Sequence, residues 1–298
     1  MLERIATSWR LVGEAWTVLK QDRALVLFPI LSGLFSLIVS VSFLVPLLLL
    51  HPFWEAGRAG GEGAVSRFRG TSFDPVHWLV LFLFYLATYF VVTFFSSGLV
   101  ACVRIRFAGG NPTFQDGISF SLANIGRIFQ WALVSATVGV LLRFIQERAS
   151  WVGRLVVGLV GIAWTLATAF VVPVLVYEQV GPIEAIKRSA ETFRRTWGET
   201  VVANVGIGAV FGVLTAAGFV ILLGGIALAV VLSASAALAI SILIGTAVVC
   251  GLYWIALAVI QSALQGIFLT ACYQYATTGT VPAAFTPQYV VAAWQPKS

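Results

Sequence analysis

The chain has 298 residues, of which 59% are hydrophobic and only 10% charged, with a formal charge of +6 and a mean hydropathy of +0.96. Soluble domains average about 45–50% apolar and about 25% charged residues, so a water-soluble fold is excluded and lipid is the expected solvent. The basic residues flank apolar runs instead of forming a patch interleaved with aromatics, so no nucleic acid is expected as a partner.

The chain opens with Ile5, Trp9, Val12, Trp16 and Leu19 at steps of four and three, with Glu3, Arg10, Glu14 and Gln21 opposite. That spacing predicts an amphipathic helix lying in the membrane interface. Residues 24–50 follow without a charge. The run is longer than the roughly 7–15 residues of a leader's apolar region, so a retained first span is expected and no cleavable leader. His51 and His77 flank a Gly-rich loop, 52–76. Two histidines without a third ligand do not make a zinc site, so no metal or other cofactor is expected. Residues 78–103 form the second expected span.

A second surface helix is expected after Gly109-Gly110-Asn111-Pro112, with Phe114, Ile118, Ile125 and Ile128 on one face. Gly117 and Gly126 weaken it by roughly 1 kcal/mol each relative to alanine. The third span, 128–142, is short, because 15 residues separate Arg127 from Arg143. Both arginines can snorkel to the headgroups. The fourth span, 155–177, contains Pro173 near its end, and Glu178 follows five residues later. Glu178 has two readings, a cap for the next helix start or a gating or substrate group. Pro182 then opens a third surface helix, with Ile183, Ile186, Ala190, Phe193 and Trp197 as its stripe. Glu184 with Arg188 and Glu191 with Arg195 are correctly oriented i,i+4 pairs.

From residue 200 to residue 296 there is no formal charge. Two long spanning helices are expected, about 200–232 and 236–276, with three shorter spans as the alternative. Gly224-Gly225 and Ser233-Ala-Ser235 are the expected breaks. Asn204, Gln261 and Gln265 are polar residues inside these spans. They serve as interhelical glue or line a polar cavity. Gly208-x-x-x-Gly212 offers a surface for close helix approach.

The three cysteines, Cys102, Cys250 and Cys272, lie in or beside apolar runs. An odd number without C-x-x-C spacing argues against a disulfide framework. No nucleophile elbow, metalloprotease motif, phosphate loop or paired intramembrane carboxylate is present, so an enzyme is not expected. With six spans and a cytoplasmic N-terminus, 12 basic residues fall inside and six outside. That bias is the expected one for a cell-membrane protein with both ends in the cytoplasm.

Several segments resemble a prokaryotic family of multi-span membrane proteins of unknown function. They are Ser8-Trp-Arg-Leu with Ala15-Trp-Thr-Val-Leu and Phe28-Pro29, Trp131-Ala with Ala136-Thr-Val-Gly, and Pro173, Glu178 and Gly181-Pro-Ile-Glu-Ala-Ile-Lys-Arg-Ser189. The last segment also looks like the membrane domain attached to some glycerophosphodiester phosphodiesterases. The chain carries no counterpart of their catalytic domain, so that activity is not implied.

The expectation is an all-α polytopic transmembrane helical bundle of about six spans, with amphipathic interfacial helices on the cytoplasmic side, as a single membrane domain over 1–298. Ala101-Cys before Gly109 and Pro112, Pro173 before Gly181 and Pro182, and Ala271-Cys before Gly279 and Pro282 suggest repeats 1–110, 111–181 and 182–282. The expected role is to organise or handle lipid of the bilayer or to support a membrane partner. The alternative is a pore or facilitative transporter, alone or as a homo-oligomer. Pro173, Glu178, Asn204, Gln261 and Gln265 are the candidate residues in either case.

Overall fold

The computed structural model describes residues 13–50, 75–231 and 236–282; the side chains of residues 46–50, 75, 77, 197–207 and 236 lie outside that description. Nine helices follow in chain order among the described residues. They are α1 (13–21), α2 (Ala24–Leu50), α3 (Pro75–Phe107), α4 (Phe114–Ala123), α5 (Ile125–Arg148), α6 (Trp151–Ala167), α7 (Val171–Glu178), α8 (Pro182–Val231) and α9 (Ala236–Thr278). Six segments are long and apolar enough to cross a membrane: Ala24–Val45, Trp78–Phe107, Ile125–Arg148, Trp151–Glu178, Gly208–Val231 and Ala237–Thr278. The protein is an all-α polytopic bundle with six spans.

The third span is longer than its uncharged stretch suggests. Helix α5 has 24 residues, about 36 Å at the α-helical rise, because its helix runs through Arg127 and Arg143. The fourth span is broken just ahead of Pro173. Pro173 has no N–H to donate to the carbonyl one turn earlier. The chain therefore leaves the helix at Ala167, turns over residues 168–170 and resumes at Val171. Pro173 then stands in the first turn of α7, where its missing donor costs nothing. Between the third and fourth spans only Ala149 and Ser150 intervene, and the Ser150 hydroxyl caps α6 by accepting from Gly153 N–H.

The last hundred residues make two spans, not three. Helix α9 runs for 43 residues without interruption. Helix α8 passes through Gly224-Gly225, so that expected break is absent; Ser233-Ala-Ser235 lies outside the described residues. The surface helix expected over 182–197 is continuous with the fifth span and bends at Thr196, with φ −119° and ψ 17°.

Three residues among those described adopt the left-handed conformation: Gly109, Gln179 and Gly279. Each ends an even-numbered span, and each precedes by three residues a proline, Pro112, Pro182 or Pro282. At the first, Gly109 N–H reaches Arg106 O and Gly110 N–H reaches Ile105 O, a Schellman ending. At the third, Gly279 N–H reaches Tyr275 O. The middle ending uses Gln179, not Gly181.

Two compact units are distinguished. One comprises Met1–Pro29, Cys102–Phe114 and Arg194–Ser298; the other comprises Ile30–Ala101 and Gln115–Phe193. In the first, Leu25, Phe28, Val103, Ile267 and Tyr273 are almost fully buried. In the second, Ile128, Phe170, Val171, Val174 and Val176 are. Aromatic pairs set the antiparallel register within the second unit: Phe35 on Phe95 and Phe43 on Phe84 join α2 to α3, while Phe90 on Phe129 and Trp78 on Phe144 join α3 to α5.

Candidate functional site

The charged groups gather at helix ends. In the first unit, Asp22 sits between α1 and α2, and its carbonyl accepts from Leu25 N–H at the start of α2. Its carboxylate does not cap that helix. It takes both Nε and Nη2 of Arg106, in the last turn of α3, as a two-point pair. Arg106 Nη1 also donates to Asn111 Oδ1 at 3.1 Å. Asp22 is 8% exposed and the Arg106 side chain 19%. A planar guanidinium meeting a carboxylate in this way is directional as well as strong. Phe28 packs on Phe114 at 5.0 Å beside it, and the Cys102 thiol donates to Thr113 O at 3.3 Å. None of this was singled out in the sequence, because the partners lie 84 residues apart.

In the second unit, Pro173 is buried and Glu178 closes α7. Glu178 pairs with Arg188 on α8, and Arg188 also holds Glu184 at 3.0 Å. The expected Glu184–Arg188 pair therefore forms, enlarged by Glu178. Glu191 and Arg195 form no ion pair among the described residues. The Glu178 carboxylate at the end of α7 thus meets a cation on the next helix. The amide freed by the break is satisfied elsewhere: Phe170 N–H donates to the buried Ser189 hydroxyl at 2.9 Å.

Ser189 reveals how the surface helices dock. Over residues 182–196 of α8 the buried positions are Ala185, Ser189, Thr192 and Thr196, whereas Ile183 is 60% exposed. On α4 the buried residues are Gly117 and Ser121, and Ser121 Oγ donates to Phe94 O at 2.8 Å. Ile125 is exposed. The faces of these helices that pack on the protein are thus small and hydroxyl-bearing, while Ile183 and Ile125 of the apolar stripes stay exposed. In lipid, close backbone approach and side-chain hydrogen bonds hold helices together, and apolar side chains gain nothing by leaving the bilayer. On α1, Ala15, Val18 and Leu19 are buried, while Trp16 lies beside Lys20. Ile5, Trp9 and Val12 lie outside the described residues.

The same logic joins α8 to α9. Tyr253 OH donates to Leu214 O at 2.7 Å, Trp254 Nε1 to Thr215 O at 3.4 Å and the Cys250 thiol to Gly218 O at 3.8 Å. A Cβ at Gly218 would stand 2.9 Å from Tyr253 Cε1, and one at Gly225 would overlap the Thr246 side chain. These two glycines are the close-approach seam. Gly208 and Gly212, expected to play that part, face open space. The side chain of Asn204 is outside the described residues. Gln265 is exposed and Gln261 partly so, and neither amide hydrogen-bonds to another described residue. Pro173 and Glu178 belong to one compact unit, Gln261 and Gln265 to the other.

No cluster of three or more His, Cys, Asp or Glu side chains occurs among the described residues. His51 and the side chain of His77 lie outside them. Chemically, these arrangements neutralise charge and fix helix ends. No curated protein and no solved structure matches the chain. A family model does match, over residues 75–283, which takes in the second to sixth spans. The chain belongs to that family, a family of unknown function designated DUF6159.

Proposed function

We propose that this is a non-enzymatic protein of a prokaryotic cell membrane that organises or handles lipid, or supports a membrane partner, with both termini in the cytoplasm. The placement of charge carries the reading. Asp22 with Arg106, and Glu178 and Glu184 with Arg188, stand at helix ends. No Asp or Glu occurs in Ala24–Val45, Trp78–Phe107, Gly208–Val231 or Ala237–Thr278. Proton relays and ion-coupled carriers usually place a carboxylate there. The lateral surfaces are apolar instead: α6 buries none of its residues, and Leu155, Leu159 and Ile162 are each more than half exposed. The bias of basic residues supports the orientation. The likeness of the Pro173–Ser189 segment to a membrane domain of glycerophosphodiester phosphodiesterases points the same way, toward lipid.

The test is to extract the protein in polymer-bounded native discs and compare the lipids retained with those of the parent membrane. Enrichment of one lipid class supports the reading. A composition identical to the bulk contradicts it.

One observation favours a second reading. Gln261 and Gln265 carry amides without partners among the described residues, and unpaired polar groups are costly in hydrocarbon. A pore or facilitative transporter formed between copies of the chain would give them water. Solute flux through liposomes that is abolished by Gln265→Leu would support it.

A further inference from the structure

Within the second unit, an open groove of about 410 Å³ lies between α3 and α5. Trp78 and Phe82 line it from α3, one turn apart. Thr137, Val140, Leu141 and Phe144 line it from α5 at helical steps of three and four. The Thr137 hydroxyl is turned back onto Leu133 O at 2.8 Å, so the walls present no unsatisfied polar group. Along α5 the groove runs for roughly 10 Å at the α-helical rise.

One end of this groove is marked by charge. The Arg148 guanidinium carbon lies 3.7 Å from the centroid of the Phe144 ring, the last wall residue. The neighbouring Arg143 is already paired with Glu147 at 2.9 Å. Arg148 has no carboxylate within ion-pairing distance among the described residues. Trp78 sits edge-on to Phe144 at 5.0 Å, at the start of its span, where indoles favour the headgroup level. An open apolar groove between two spans, ending on a cation with no carboxylate partner among the described residues, has the inverse shape and charge of one lipid class.

We propose that this groove binds one acyl chain of a glycerophospholipid with a net-negative headgroup, and that Arg148 selects the headgroup. The inference rests on the lipid-handling reading and names the lipid class and the place. The flexible chain fills the space between α3 and α5. The headgroup reaches the guanidinium, which the Phe144 ring holds against the groove mouth. An attraction of the size a basic side chain has for an anionic bilayer surface corresponds to about a fivefold preference for the anionic headgroup.

The probe is a photo-activatable acyl chain on phosphatidylglycerol or on phosphatidylcholine, incorporated into liposomes holding the full chain. Cross-links are mapped by mass spectrometry. We expect them at Val140 and Leu141, with phosphatidylglycerol favoured about fivefold. Arg148→Gln should remove the preference, Leu141→Trp should remove the cross-links, and Arg143→Gln should change neither. Equal labelling by the two lipids, or a preference that survives Arg148→Gln, overturns the proposal. Native discs of Arg148→Gln separate the two levels of the account. If they still enrich a lipid class while the groove labels are indifferent to charge, only the groove inference falls. If neither the wild type nor the variant enriches any lipid, the lipid reading falls with it.

Discussion

Asp22 and Arg106 form a largely buried two-point ion pair, with Asp22 8% and the Arg106 side chain 19% exposed, across 84 residues of sequence, tying the start of the first span to the end of the second. Removing one partner strands the other charge, which typically costs about 3–5 kcal/mol in a buried pair. Asp22→Asn and Arg106→Gln should each lower the apparent melting temperature markedly in detergent. The double variant should lose little more than the worse single one, since the stranded charge is then gone. Additive losses would show that the two side chains act independently.

The α8–α9 seam gives a second expectation. Gly218→Ala and Gly225→Ala should each destabilise by about 1–3 kcal/mol, the usual cost of overpacking. Gly208→Ala and Gly212→Ala, which meet open space, should change stability by less than about 0.5 kcal/mol. Thermal unfolding of the four variants checks this, and the reverse order would misplace the seam.

Glu178 and Glu191 differ in the same measurable way. Glu178 meets Arg188 with its side chain 23% exposed, whereas Glu191 is exposed and has no ion pair among the described residues. Glu178→Ala should lower the melting temperature, by an amount equivalent to roughly 1 kcal/mol or less for a pair this open to solvent. Glu191→Ala should not. Equal melting temperatures would count against a role for the pair.

How much of this was readable beforehand follows from what lipid does to sequence patterns. Span existence was legible, because runs such as 24–50 have no other stable place. The bend near Pro173 was legible as a proline effect, although not as two separate helices. The docking faces were not. A stripe such as Ile183, Ile186 and Phe193 signals a buried face in water, but beside a bilayer it is free to face acyl chains. The side that packs carries Ala185, Ser189 and Thr192, which a hydrophobic stripe does not mark. Pairings such as Asp22 with Arg106 depend on which helix ends meet, and one sequence does not specify that. The glycine argument named the right physics on the wrong residues, since Gly208 and Gly218 look alike until Tyr253 and Trp254 are placed.

Topology is open to direct labelling. Single cysteines introduced at Asn111 and Glu191 should react from the same, cytoplasmic side, and one at Gly61 from the opposite side. Cys102, Cys250 and Cys272 are buried and should contribute little background. Reaction of Asn111→Cys and Glu191→Cys from opposite sides would break the six-span arrangement.

The central claim, a lipid-facing protein and not a conduit, is tested most directly by a high-resolution density map of the protein in native lipid. The account expects ordered acyl-chain density against α6 and in the groove walled by Trp78 and Leu141, with no continuous polar path through a protomer or between protomers. A water-width path passing Gln261 and Gln265 would contradict it.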